Sequence, residues 1–200
     1  MMVIGLTGSI AMGKSEVAKI FAGHNIPVFD SDAEVYKLYD SMAGADLIRP
    51  FVPEAATEGK VNRKIITEHV LKNPDLLTKL EKNVHAEIKR RREAFIASAK
   101  NSGAKAVLID TPLLFEIGAD KEMDFNIVVS ATPELQRARA LARPGMTKER
   151  LNLIMKRQIP DLEKRAKADA VIENNSTLQE LEKSVEKLLL KLKVIKTQNA

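Results

Sequence analysis

Residues 8–15 read Gly-Ser-Ile-Ala-Met-Gly-Lys-Ser, an unbroken G-x-x-x-x-G-K-S. The string constrains the fold because each fixed position has a physical task. Glycines let the backbone curl tightly and turn its N–H groups toward an anion. Lys14 can reach β- and γ-phosphates, and the Ser15 hydroxyl can bind Mg2+. The flanks agree with this reading. Val3-Ile4-Gly5-Leu6-Thr7 is a short apolar run, the pattern of a buried parallel strand. Over residues 16–22, Val17, Ile20 and Phe21 recur at helical spacing. The loop is therefore predicted to join a strand to a helix N-terminus, where the dipole and unpaired amides favour phosphate. Gly8, Ser9, Ile10, Ala11, Met12, Gly13, Lys14, Ser15 and Glu16 are the expected nucleotide-binding residues.

Short apolar runs alternating with helical stretches continue along the chain. Residues 26–29 and 104–110 read as strands, the second introduced by Gly103; 126–130 and 170–172 read as two more. Residues 33–100 look mostly helical, with stretches at 33–39, 64–71 and 75–99, and a loop marked by Pro50 and Pro53. In the longest stretch Leu76, Leu77, Leu80, Val84 and Ile88 form an apolar stripe. A helix at 133–142 opens a basic segment, 137–167, carrying Arg137, Arg139, Arg143, Arg150, Arg157 and Arg165, with Pro144 and Gly145 interrupting it. A last helix, 177–195, lines up Leu178, Leu181, Val185, Leu188 and Leu192. This alternation predicts an α/β fold: a parallel sheet of the P-loop NTPase type flanked by helices. Two hundred residues fit one such domain. The expected core is 1–32, 103–136 and 168–200, with a helical substrate-binding insert at 33–102 and an arginine-rich lid at 137–167.

Composition narrows the class of function. With 44% hydrophobic residues the chain can bury a core, and no apolar run approaches a membrane span. There are no cysteines, hence no disulfide and no thiolate metal site, which suits a reducing cytoplasm. The N-terminus enters a strand at once and leaves no room for a signal peptide, so a cytoplasmic location is expected. The net charge of +5 suits polyanionic small molecules. Aromatics at 4% are poor material for stacking nucleic-acid bases. The densest basic cluster, Lys89-Arg90-Arg91-Arg92, reads as a solvated helix face.

Ligands of open α/β sheets bind at the carboxyl ends of the strands. Asp32, Asp110 and the glycine loop all follow predicted strand ends and are expected to converge there. Asp30 and Asp32 are two apart and share a face if the segment stays extended. One of them can orient or deprotonate an acceptor hydroxyl; Asp30 can equally cap the next helix. Asp110 reads either as a magnesium-side carboxylate or as a turn residue before Pro112. Arg139 and Arg143, four apart, fall on one helical face, and a mobile flap bearing them could place charge on a migrating phosphoryl group while excluding water. His24, His69 and His85 show no metal-ligand spacing.

These pieces together resemble the dephospho-CoA kinase family. The resemblance rests on Gly-Leu-Thr-Gly-Ser-Ile-Ala-Met-Gly-Lys-Ser at 5–15, Asp-Ser-Asp at 30–32 and Val-His at 84–85. Asp-Thr-Pro-Leu-Leu-Phe-Glu at 110–116 and Gln-Arg-Ala-Arg-Ala-Leu-Ala-Arg at 136–143 extend it, with Gln158, Lys164, Ala168-Asp169, Val171-Ile172 and Asn174 completing the series. It implies a kinase core, a CoA-binding helical part and a lid. It also implies MgATP-dependent phosphorylation of the ribose 3′-hydroxyl of dephospho-CoA, the final step of CoA synthesis. By motif position Asp32 is the catalytic carboxylate, Arg139 and Arg143 are lid arginines, and His85, Leu113 and Leu114 line the acceptor side. Lys14 serves both binding and catalysis, and Ser15 and Asp110 attend the metal. The sequence departs from the family pattern at Ala11, Glu16, Ser31 and Ala86, where Gly, Thr, Ala and Pro are usual.

The expected partners are ATP and dephospho-CoA, with no nucleic acid and no membrane, in a monomer or weak oligomer. A nucleoside monophosphate kinase would share the core and lid chemistry. A GTP-binding switch would need a D-x-x-G segment and an N-K-x-D guanine reader, and neither occurs. A nucleic-acid-binding protein would leave the glycine loop unexplained unless it also hydrolysed ATP.

Overall fold

In the computed structural model, which describes residues 1–195, strands and helices alternate from the first residues onward. Residues 196–200, the end of the expected core segment 168–200, lie outside the described residues. β1 (Met2–Thr7) feeds the glycine loop and α1 (Lys14–Gly23), then β2 (Val28–Asp30). α2 (Ser31–Tyr39), α3 (Met42–Ile48), β3 (Ala56–Thr57), β4 (Lys60–Val61), α4 (Arg63–Lys72) and α5 (Pro74–Asn101) follow. β5 (Ala106–Asp110), β6 (Phe125–Ser130), α6 (Pro133–Leu141), α7 (Lys148–Lys156), α8 (Asp161–Lys167), β7 (Ala170–Glu173) and α9 (Leu178–Lys191) complete the order. The chain divides into two compact units, Met1–Phe29 with Ser98 onward, and Asp30–Ala97.

The first unit holds a five-stranded sheet ordered β2-β5-β1-β6-β7. β1 pairs in parallel with β5 and β6, and β6 with β7. The register matters for the site: Leu6 of β1 stands opposite Asp110 of β5, and Thr7 opposite Val128 of β6. The last residues of β1 and β5 therefore reach the same edge, where the glycine loop begins. Ile4, Leu6, Val107, Leu108, Ile109, Ile127, Val128 and Val129 have no exposed surface. Strands covered on both faces carry such unbroken apolar runs.

α1 and α9 cover one face. Val17 and Phe21 from α1, with Leu181, Val185 and Leu189 from α9, pack in one cluster with Ile4, Leu6, Leu108, Ile127, Val129 and Ile172. Burying a side chain such as Phe21 stabilises by about 1.5–3 kcal/mol. Thr177 and Glu180 form a reciprocal capping box that starts α9. The apolar stripe expected on this helix holds except at Leu178, which is exposed in the first turn, while Leu189 takes a core position.

β2 begins later than the expected 26–29. Ile26 closes the turn after α1, its N–H donating to the Phe21 carbonyl at 3.2 Å. Pro27 has no N–H to offer a ladder, but its carbonyl accepts from Leu108 at 2.9 Å, and the strand starts from there.

In the second unit Leu38 of α2, Ala45 and Ile48 of α3, Val61 of β4, and Leu80, Val84 and Ile88 of α5 are buried. The predicted helical block is interrupted by the β3–β4 hairpin, whose turn residues Glu58 and Gly59 both have positive φ (48° and 75°). That is the geometry favoured for a two-residue hairpin turn. The Lys89–Arg92 cluster is the solvated face expected of it only at Lys89 and Arg90, which are exposed. Arg92 is buried, and Arg91 is bonded to both Glu87 and Glu34, tying α5 to α2.

Candidate active site

The glycine loop follows β1 directly and ends at the first turn of α1. Gly13, just before that helix, has φ 97°, the left-handed region open to glycine at little cost. Ala11 also has a positive φ, 63°, at a position where the family pattern has glycine. The strain, about 1 kcal/mol or more for an L-residue there, is offset by burial. Ala11 packs with Ala140 of α6 and Leu151 of α7.

Three uncharged side chains from distant segments hold the loop. Ile10 donates its N–H to Gln158 Oε1 at 3.0 Å and accepts at its carbonyl from Gln136 Nε2 at 2.9 Å. The Met12 carbonyl accepts from Asn174 Nδ2 at 3.0 Å. Sequence reasoning placed Gln136, Gln158 and Asn174 only within the family series and gave them no role. The signal available for Gln136 was a lone amide inside α6, where it proves buried.

The Lys14 ammonium is in direct contact with Asp110 Oδ1. The pairing follows from register, since Asp110 ends β5 opposite Leu6 and Lys14 opens α1 beyond the loop. Asp110 is 3% exposed, and a carboxylate so buried requires a charged or hydrogen-bonding partner. Ser15 is exposed beside Lys14. Its hydroxyl and the Asp110 carboxylate are hard oxygen donors, the kind magnesium takes while keeping waters and substrate phosphates. Among the described residues no group of three or more His, Asp or Glu could hold a metal by itself. The Glu16 side chain pairs with Lys19 at 2.8 Å.

Arg139 sits in the last turn of α6 and donates Nη1 to the Asn174 carbonyl at 2.9 Å. It thus touches the same residue that holds Met12. Arg143 differs from the expectation of a shared helical face. α6 ends at Leu141, and the Arg143 N–H turns back to the Ala140 carbonyl at 3.1 Å, a tighter turn, so Arg143 lies exposed beyond the helix. The expected lid segment contains the end of α6, then α7 and α8.

In the second unit the two aspartates separate clearly. Asp30 is the N-cap of α2, accepting from Ala33 N–H at 2.9 Å. Asp32, in the first turn, is exposed and is not the cap. The Glu34 carboxyl on that helix is held below its ordinary value, chiefly by the hydrogen bond from Lys37. His85 is exposed on α5, two residues before Glu87, whose carboxyl is pushed down to about 2 mainly by Arg90. In the first unit Leu113 is half-buried. Leu114 has no exposed surface and lies over Gly5, its Cδ2 3.0 Å from where a Gly5 side chain would begin.

The dephospho-CoA kinase family model matches residues 2–180. The chain is 44% identical over 192 residues to the dephospho-CoA kinase of Agrobacterium fabrum, covering 96% of this chain and 98% of that one. Among solved structures, it resembles the Thermus thermophilus protein TT1252 with a TM-score of 0.82 at 31% identity, over 96% and 97% of the two chains. It also resembles dephospho-CoA kinase from Campylobacter jejuni, with a TM-score of 0.71 at 26% identity, over 95% and 96%.

Proposed function

The chain belongs to the dephospho-CoA kinase family, and on that premise we propose how its residues carry the reaction. The enzyme phosphorylates dephospho-CoA with ATP, at the ribose 3′-hydroxyl, giving CoA and ADP in the last step of CoA biosynthesis. The observation that best supports the assignment of roles is the ion pair of Lys14 with buried Asp110 at the strand edge where the glycine loop starts.

ATP binds with its phosphates on the loop 8–15 and the N-terminus of α1, whose amides and dipole favour anions. Lys14 supplies positive charge to the β- and γ-phosphates. Phosphoryl transfer offers the protein little covalent chemistry, so positioning and charge placement carry most of the catalysis. Ser15 and Asp110 would hold magnesium, which when bound neutralises phosphate charge. Asp110 then has a double task, holding Lys14 before ATP arrives and facing the metal afterwards. Arg139 and Arg143 belong to a lid spanning 137–167 and bring further positive charge to the migrating group as water is excluded.

Asp32 acts on the acceptor. A ribose hydroxyl is a weak nucleophile, and a carboxylate that orients it and takes its proton late contributes roughly 10²–10⁴-fold. Asp32 suits this task because Asp30 already caps α2. His85 and Leu113 line the acceptor side. Leu114, being fully buried, acts there by setting where Leu113 stands.

The reading is tested by incubating the protein with MgATP and dephospho-CoA and following CoA by chromatography, with adenosine, AMP and CMP as competing acceptors. CoA formation with little product from the other acceptors is expected. Preferential phosphorylation of AMP or CMP would make it a nucleoside monophosphate kinase. A cytoplasmic location fits the chain, in which no helix among the described residues is long and apolar enough to cross a membrane.

A further inference from the structure

Lys164 of α8 has no exposed surface. Its ammonium lies 2.8 Å from Glu116 Oε1 and donates to the Pro112 carbonyl at 2.9 Å. The same Glu116 oxygen accepts the N–H of Ile159 at 2.8 Å. Ile159 follows Gln158, whose Oε1 holds the Ile10 N–H of the glycine loop. The Pro112 carbonyl also accepts from Thr7 Oγ1 at 3.1 Å, and Thr7 is the last residue of β1, next to Gly8. One buried ion pair thus contacts the segments that fix both the start of the loop and its third residue.

A buried ion pair is weak evidence for stability, since well-packed apolar residues in its place are often as good or better. What it supplies is fixed pairing: a buried charge left without its partner is costly, so the two side chains and the groups bonded to them are held together. Here the carboxylate's bond ends on Ile159, in the linker between α7 and α8, and the lysine's on Pro112, just after β5.

We propose that Glu116 and Lys164 are positioning residues for phosphoryl transfer: they clamp the Gln158–Ile159 linker so that Gln158 holds the glycine loop at Ile10 in its ATP-binding shape. The inference rests on the reading of that loop as the ATP site. Neither residue touches ATP in this account. Gln158 occupies the Ile10 N–H, and within the loop the Met12 N–H donates to the Ser9 carbonyl at 3.2 Å.

The test is steady-state kinetics with both substrates, beside thermal unfolding. Gln158→Leu removes the acceptor facing Ile10, whereas Gln158→Glu keeps an oxygen there. Glu116→Leu/Lys164→Met removes both charges and the acceptor for Ile159, and Glu116→Gln/Lys164→Met restores only that acceptor. A loop displaced by about an ångström gives losses of up to about a hundredfold. That loss is expected in KM for ATP for Gln158→Leu and the Leu/Met double variant, with KM for dephospho-CoA little changed. Gln158→Glu and the Gln/Met double variant should return most of the way. If the Leu/Met variant fails to fold, the Gln158 pair decides alone. Wild-type KM for ATP in folded Gln158→Leu, beside a Lys14→Ala control that has lost turnover, would overturn the inference and leave the loop assignment standing. Retained turnover in Lys14→Ala would overturn the loop assignment and the inference with it.

Discussion

The Nδ2 of Asn174 lies 1.9 Å from the point where a side chain on Gly13 would begin. The amide that holds the Met12 carbonyl thus occupies the space a Cβ would need, and Gly13 is left-handed besides.

Gly13→Ala therefore meets two obstacles at once, a clash and a strained φ. We expect ATP affinity to fall by on the order of tenfold or more as the loop yields. Gly103→Ala is the comparison. Gly103 is also left-handed, at φ 79°, but a Cβ there meets nothing within 4 Å. That variant should lose about 1 kcal/mol of stability and keep wild-type turnover. Isothermal titration with ATP and thermal unfolding distinguish the two; equal effects on ATP binding would contradict the close-contact account.

Asp110→Asn keeps the shape beside Lys14 and removes the charge. With one oxygen donor weakened, the magnesium concentration giving half-maximal turnover at fixed ATP should rise about tenfold. An unchanged magnesium dependence would place the metal elsewhere.

The arginines should rank by position. Arg139→Ala and Arg143→Ala should each lower kcat/KM by on the order of a hundredfold, as expected for losing a charged donor to the transition state. Arg90→Ala, an exposed residue paired with Glu87, should leave kcat within about twofold. The reverse order would mean that the phosphate-facing side has been misassigned.

How much of this was legible in the sequence depended on how local each pattern is. β1, the glycine loop and α1 follow one another within 23 residues, with apolar spacing on either side and a motif between, so all three could be read directly. The β3–β4 hairpin could not, because strands of two residues carry no periodicity. Nor could the clamp on the loop. Gln136, Gln158 and Asn174 reach Ile10 and Met12 across 126, 148 and 162 residues, and uncharged amides at such separations leave no local signature. Asp32 was singled out by motif position, whereas the capping of α2 by Asp30 depends on backbone geometry that the motif does not specify. Arg143 shows the opposite failure: a correct helical spacing was extended past the helix end.

Acid should weaken the charge pairing along α5 in a defined window. The Glu87 carboxyl titrates at about 2 when folded and near 4.5 without its partners, because Arg90 and then Arg91 favour its charged form. Its stabilising contribution is full above about pH 5 and is lost as pH falls toward 2. Thermal unfolding of wild type and Glu87→Gln should differ most at neutral pH and converge as pH drops to about 2. A gap that stayed constant over that range would contradict the assignment.

The central claim is that Asp32 serves the chemical step and not the binding of ATP. Single-turnover phosphorylation of dephospho-CoA by Asp32→Asn, with MgATP saturating, tests it most directly. The substitution keeps size and shape but removes charge and basicity. The rate should fall at least about a hundredfold while both substrates bind within a few-fold of wild type. A wild-type rate in Asp32→Asn would contradict the claim, and loss of MgATP binding in that variant would move Asp32 to the metal side of the site.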